Sequence, residues 1–177
     1  MKRFEPPVVV LDVLTQRAGL FSAVGHDLRL RAGAVSVSLG SDRFIVDIEA
    51  FAIAPICARV HGKDAHGVLS DGDIHRIHSN LRGEVLKANR FPLIHVEIER
   101  RAPTVAMVAA EVTLCGCRRP LRLFVERHGD RLVGHAALNQ RAFGIEPYST
   151  MFGAIAVADT LEIEFEAPWA MWSTSAV

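Results

Sequence analysis

The chain has no excess charge of either sign: 20 lysines and arginines face 20 acidic side chains. A neutral chain lacks the basic footprint that supplies most nucleic-acid affinity, so nucleic acid is excluded as a partner. No polybasic run draws it to an anionic membrane surface. No stretch reaches the roughly 18 uninterrupted apolar residues of a membrane-spanning helix. The opening Met1-Lys2-Arg3-Phe4-Glu5-Pro6-Pro7 starts like a signal peptide, then puts an acid and two prolines where the apolar segment belongs. Export by that route is not expected. Cysteine is scarce, at three. Cys115 and Cys117 are too close for an ordinary disulfide and Cys57 stands alone, which suits a reducing cytoplasm. Internal repeats, low-complexity tracts and linkers are absent too. With 177 residues, half of them apolar, the chain reads as one domain over 1–177 that can bury a sizeable core.

The dominant pattern present is alternation with period two, the mark of strands with one buried face. Phe44, Val46, Ile48 and Ala50 oppose Asp47 and Glu49. Ile94, Val96 and Ile98 oppose His95, Glu97 and Glu99, and Leu161, Ile163 and Phe165 oppose three glutamates. Further strands are expected near 8–14, 20–30, 33–39, 104–114, 120–127 and 131–139. Turn signals such as Gly40-Ser41-Asp42 and His128-Gly129-Asp130 separate them. Many antiparallel strands at short spacing predict a barrel or sandwich. One helix interrupts them: Ser70 or Asp71 caps it, and Ile74, Ile77, Leu81 and Val85 form its apolar stripe. It is expected over about 71–88, near the mouth of the barrel, and must end before Pro92. The segment 52–70 has no clear period and reads as a loop or a second short helix.

Motifs of catalysis and metal binding are missing. There is no Gly-x-Ser-x-Gly elbow, no Cys-x-x-Cys and no His-Glu-x-x-His. His75 and His78 share a helix face, with His61 and His66 upstream, but they fall off the apolar stripe and read as solvated; no metal site is expected. Cys115 and Cys117 read as small turn residues. In Gly25-His26-Asp27, strand neighbours point to opposite faces, so an acid–base pair is not implied and His26 reads as a polar anchor. Arg141 stands among Ala136, Ala137, Leu138, Ala142 and Phe143. A guanidinium in such surroundings needs a partner: either a structural salt bridge or a ligand head group at the container mouth.

Four segments, in order, resemble the YceI-like family. They are Ser22-Ala23-Val24-Gly25-His26, Val85-Leu86-Lys87-Ala88-Asn89-Arg90-Phe91-Pro92-Leu93-Ile94, Leu114-Cys115-Gly116-Cys117-Arg118-Arg119-Pro120-Leu121, and Arg141-Ala142-Phe143-Gly144-Ile145. The last is similar to the family's Arg-x-Asp-Phe-Gly-Ile ending, with Ala142 where an acid is usual. The resemblance implies an extended antiparallel lipocalin-like barrel around a long apolar pocket, and non-enzymatic binding, transport or sensing of an amphipathic isoprenoid-like lipid or quinone. The expected partner is thus an apolar small molecule, with no cofactor beyond it. Phe21, Val24, Phe91 and Phe143 are the expected wall residues, with His26 or Arg141 at the polar end. Two other readings stay open: a hydrolase or isomerase using His26 as base, and a protein-interaction module with a filled core. A homodimer is left open as well.

Overall fold

The computed structural model describes residues 9–18, 26–40, 42–99, 106–150 and 155–173. In chain order it places β1 (Val10–Leu14), β2 (Arg17–Ala18), β3 (Asp27–Ala32), β4 (Val35–Leu39) and β5 (Arg43–Glu49). A 3-10 turn, Ala50–Ala52, leads to β6 (Ile53–Val60) and β7 (Lys63–Ala65). Then come α1 (Asp71–Asn80), extended by a π-helical turn Leu81–Val85, β8 (Leu93–Glu99), β9 (Met107–Leu114), β10 (Cys117–His128) and β11 (Arg131–Asn139). After a 3-10 turn at Arg141–Phe143 follow β12 (Ser149–Thr150), β13 (Ile155–Val157), β14 (Thr160–Pro168) and α2 (Trp169–Ser173). The mainly β, lipocalin-like architecture with one main helix is as expected from the sequence.

Eleven strands make one antiparallel sheet in the order β4-β5-β8-β9-β10-β11-β14-β1-β3-β6-β7. Its two ends are joined by a bent ribbon. β3 runs into β4 through Gly33 and Ala34, and β5 runs into β6 through the 3-10 turn. Across this corner, Gly33 N–H donates to the Ala52 carbonyl at 2.8 Å and Glu49 N–H to the Ala34 carbonyl at 3.1 Å. The β3/β6 ladder therefore passes into the β4/β5 ladder, and hydrogen bonding runs round the ring. A side chain at Gly33 would sit 2.9 Å from the Ala52 carbonyl oxygen, so the close approach at the corner needs glycine.

The inward face is the one that alternation predicts. Val46 pairs with Val96 and Ile48 with Ile94; Val96 pairs with Val112, and Leu138 with Leu161. Two buried clusters pack the ends of the barrel. One joins Leu30, Ile48, Ile53, Leu86, Leu114 and Phe143. The other gathers Val37, Phe44, Val108 and Leu132 around Met171 and Trp172 of α2. Trp172 stacks on Phe44 with ring centroids 5.0 Å apart, so α2 stoppers that end.

One expectation needs correction. The segment 52–70 holds β6 and β7 rather than a loop or second helix. Ile53, Pro55, Cys57 and Ala58 are all buried, and a bulge opposite Arg29 and Leu30 shifts the phase of β6, so the alternation breaks at Cys57 and Ala58. The main helix, expected over about 71–88, is found over 71–85. Ser70, one of the two expected caps, closes it in a capping box with Asp73, and its last turn widens to π geometry over Leu81–Val85.

Candidate functional site

The barrel encloses a cavity of about 550 Å³. Its staves are apolar all round: Leu11 and Val13 from β1, Val46 and Ile48 from β5, Val96 from β8 and Ile163 from β14 line it, among others. Among the described residues no ionisable side chain of β8, β9, β10, β11 or β14 faces it. Gly134 makes room for one wall. A Cβ there would lie 2.2 Å from Phe165 Cζ and 2.6 Å from the Phe124 carbonyl oxygen, so the Phe165 ring occupies the space a side chain would take.

Polar groups collect at the end crossed by α1. Among the described residues, Thr15, Gln16, Arg17, His26, Asp73, Asn80, Gln140 and Tyr148 are the polar side chains on the cavity wall. The local folds that place them are short. β2, β13 and β12 form a small three-stranded sheet, with Val157 N–H donating to the Tyr148 carbonyl at 2.9 Å. Of the predicted apolar stripe of the helix, Ile77, Leu81 and Val85 turn to the cavity, while Ile74 is not on its wall. Asn80 Nδ2 donates to Tyr148 Oη at 2.9 Å and fastens the helix to this small sheet. His78, off the stripe, meets the Phe51 carbonyl oxygen at 3.1 Å on the other side.

Most mouth charges are already balanced. Arg17 bonds Asp27 Oδ1 through its backbone N–H at 2.8 Å and its Nε at 3.2 Å. Asp27 is thereby committed to Arg17. Asp73 takes the Ser70 hydroxyl at 2.6 Å and Arg76 at 2.5 Å. Bonds from Ser70, then from Arg76, hold the Asp73 carboxyl below its ordinary value. Tyr148 differs: its oxygen accepts from Asn80, and its own hydrogen has no acceptor among the described residues. Asparagine, tyrosine and histidine at one end of an apolar tube suit a molecule with a long apolar body and a hydrogen-bonding head.

The residues singled out from sequence separate here. His26 lines the mouth and is exposed, not a buried anchor. Phe21 and Val24 lie outside the described residues. Phe91, Phe143 and Arg141 are not on the cavity wall. Phe91 covers the β9–β10 turn, where a side chain at Gly116 would lie 2.9 Å from its ring. Phe143 is buried in the packed end, and Gly144, at φ 71°, turns the chain behind it. Arg141 is exposed and bonds Glu146 at 3.0 Å, with Asp159 at 4.0 Å. It takes the structural salt bridge rather than the container mouth, because the 3-10 turn carries its side chain outward while Ile145 turns in. Tyr148 and Asn80 were missed. The one available signal was that Tyr148 is the chain's single tyrosine.

No family model and no curated protein matches the sequence significantly. Solved structures do match in fold. Burkholderia cenocepacia BcnA is 12% identical, with a TM-score of 0.58 over 89% of this chain and 94% of that one. A polyisoprenoid-binding domain from Saccharophagus degradans, implicated in plant cell wall breakdown, is 11% identical, with a TM-score of 0.59 over 90% of this chain and 94% of that one. The barrel is thus a fold shared along almost the whole length of both proteins.

Proposed function

We propose that this chain is a non-enzymatic binding protein of the YceI-like kind, which holds an amphipathic isoprenoid-like lipid or quinone, tail inside the barrel and head at the α1 mouth. The observation that carries the reading is the cavity: apolar on every stave and polar at one end. At about 550 Å³ the cavity falls within the range of small-molecule sites, about 300–1,000 Å³, and far exceeds the voids of a packed interior, which runs against the interaction module with a filled core. The polyisoprenoid binding of the Saccharophagus domain supports an isoprenoid-like body for the occupant. The polar end uses Tyr148, Asn80 and His26. An enzyme built on His26 does not have Asp27 as its orienting acid, since Asp27 is held by Arg17. Transport or sensing in the cytoplasm completes the proposal.

Native mass spectrometry of protein purified gently from its host tests it. The expected spectrum carries an adduct that releases an apolar molecule on activation. Ile163→Trp, which places an indole across the cavity, removes the adduct while the far-ultraviolet circular dichroism is kept. A single sharp mass of the bare chain, with no uptake of long-chain isoprenoids, overturns the proposal.

A further inference from the structure

Outside the barrel, the β6–β7 hairpin gathers three metal-binding side chains of different chemistry. Cys57, Asp64 and His66 each present one ligand atom, and these atoms lie within 4.8 Å of one another. Register explains the gathering. Arg59 stands opposite Asp64, so Cys57, two residues before Arg59, and His66, two residues after Asp64, share its outward face. Arg29 of β3, opposite Cys57, borders the same spot.

The atoms left uncommitted point to a ligand. Asp64 Oδ1 takes Arg29 Nε at 3.0 Å, and Arg59 Nε stands 3.6 Å from it, beyond hydrogen-bond reach; Oδ2 has no partner among the described residues. Arg29 is also matched by Asp12 at 2.9 Å and Glu164 at 2.8 Å, so it does not need the whole Asp64 charge. The His66 ring has no hydrogen-bond partner among the described residues. Cys57 is 3% exposed, a sulfur at the floor of the cluster. Arg59 Nε is buried without a hydrogen-bond partner, a donor left for a water or anion beside the cluster.

We propose that Cys57, Asp64 and His66 form a binding site for a zinc-like divalent transition metal, with solvent as the fourth ligand. Sulfur, imidazole and carboxylate together are the donor set of such ions and not of calcium or magnesium. Metal–ligand distances of about 2.0–2.3 Å put tetrahedral ligands about 3.3–3.7 Å apart. The exposed Asp64 and His66 side chains reach that spacing by closing on Cys57 by about 1 Å. Burial, then the Asp64 carboxylate, pushes the Cys57 thiol up, so coordination releases its proton. The site also has a consequence for the fold. His66 lies two residues before Val68, which lines the cavity mouth with Leu69, and Ser70 then caps α1. Metal bound here ties the edge strand β7 to the segment that carries α1 over the mouth. The site does not depend on what the barrel holds.

Titrating the full, chelator-treated chain with cobalt(II) chloride tests it. The expected result is a cobalt–thiolate charge-transfer band that saturates at one equivalent and is displaced by zinc. Cys57→Ser removes the band. His66→Ala, a change at an exposed position that leaves folding intact, weakens binding more than about tenfold, the loss seen even for outer-shell changes. The Cys115→Ser/Cys117→Ser double variant keeps the band. Absence of a saturable band overturns the proposal, as does a band unchanged by His66→Ala or abolished in the double variant.

Discussion

Replacing Asp12 by asparagine removes one charge from the outer face of β1 and changes almost nothing in shape. Asp12 is only 4% exposed. Its two oxygens take Arg31 as a fork, from Nε at 2.8 Å and Nη2 at 2.9 Å, and Oδ2 also takes Arg29 Nη1 at 2.9 Å. Breaking a buried ion pair costs about 3–5 kcal/mol when the other charge is stranded. Neither arginine is stranded here: Arg29 keeps Glu164 and Asp64, and Arg31 is half open to water. The loss is then that of hydrogen bonds to a charged group, about 2 kcal/mol. For a chain of this length that lowers Tm by about 4–8 °C at pH 7. The pH dependence gives a second reading of the same number. Burial alone would raise the Asp12 carboxyl, but bonds from Arg31 and Arg29 together hold it below its ordinary value. The unfolded chain therefore takes up this proton first as pH falls. The contribution is complete above about pH 5 and drains as pH drops through the ordinary aspartate value near 3.9 and on through the lower folded one. Asparagine does not titrate, so the gap between the two proteins must close over that range. Thermal melts of both from pH 7 to pH 3 measure it. Equal stability at pH 7, or a gap that stays the same size in acid, refutes the assignment of this carboxylate as a charged keystone of β1, β3 and β14.

Two further substitutions bear on the cavity. Gly134→Ala meets both the Phe165 ring and the Phe124 carbonyl; the ring can swing into the cavity but the carbonyl belongs to a paired strand. Chemical denaturation should register a loss of at least about 1–3 kcal/mol, with reduced lipid uptake, and a neutral result would show that β11 has slack the ladder does not suggest. Arg141→Ala removes an exposed pair with Glu146 and should cost under about 1 kcal/mol while leaving lipid uptake unchanged. Loss of uptake in this variant would return Arg141 to the binding end.

The fold was legible wherever one face of a strand is wet. In β5, β8 and β14 charged residues alternate with apolar ones, and those apolar residues are the ones that line the barrel. The reading failed in β6, where Cys57 and Ala58 are buried on opposite faces and a bulge breaks the phase. Burial of outward positions there follows from Arg29, Arg59 and β7 lying over them, a tertiary fact that no window of sequence contains. The helix and its stripe were legible because Ile77, Leu81 and Val85 face an apolar space; the widening of Leu81–Val85 into a π turn was not. Site residues fared worse. Arg141 and Phe143 attract attention as a charge and an aromatic next to a strand end, yet a three-residue turn decides which side chain turns in, and it selects Ile145. Tyr148 reaches the mouth only because β12, β13 and β2 pair across more than a hundred residues.

The hollow centre also changes where the stability of this barrel must reside. An ordinary domain of this size is held by one continuous packed interior. Here the interior is divided into two clusters, one under α1 and the Arg141–Phe143 turn, the other under α2, and the cavity draws its walls from both. The staves between them touch space on their inner side, so they gain little from inward contacts. Their cohesion has to come from the ladders and from the outer face. That is where Asp12, Arg29, Arg31, Asp64 and Glu164 form a chain of ion pairs across β1, β3, β7 and β14. Such a belt would be a weak device on the surface of a solid core. Across four strands whose inner face borders the cavity, it holds the strands at a spacing that no inward packing has to provide.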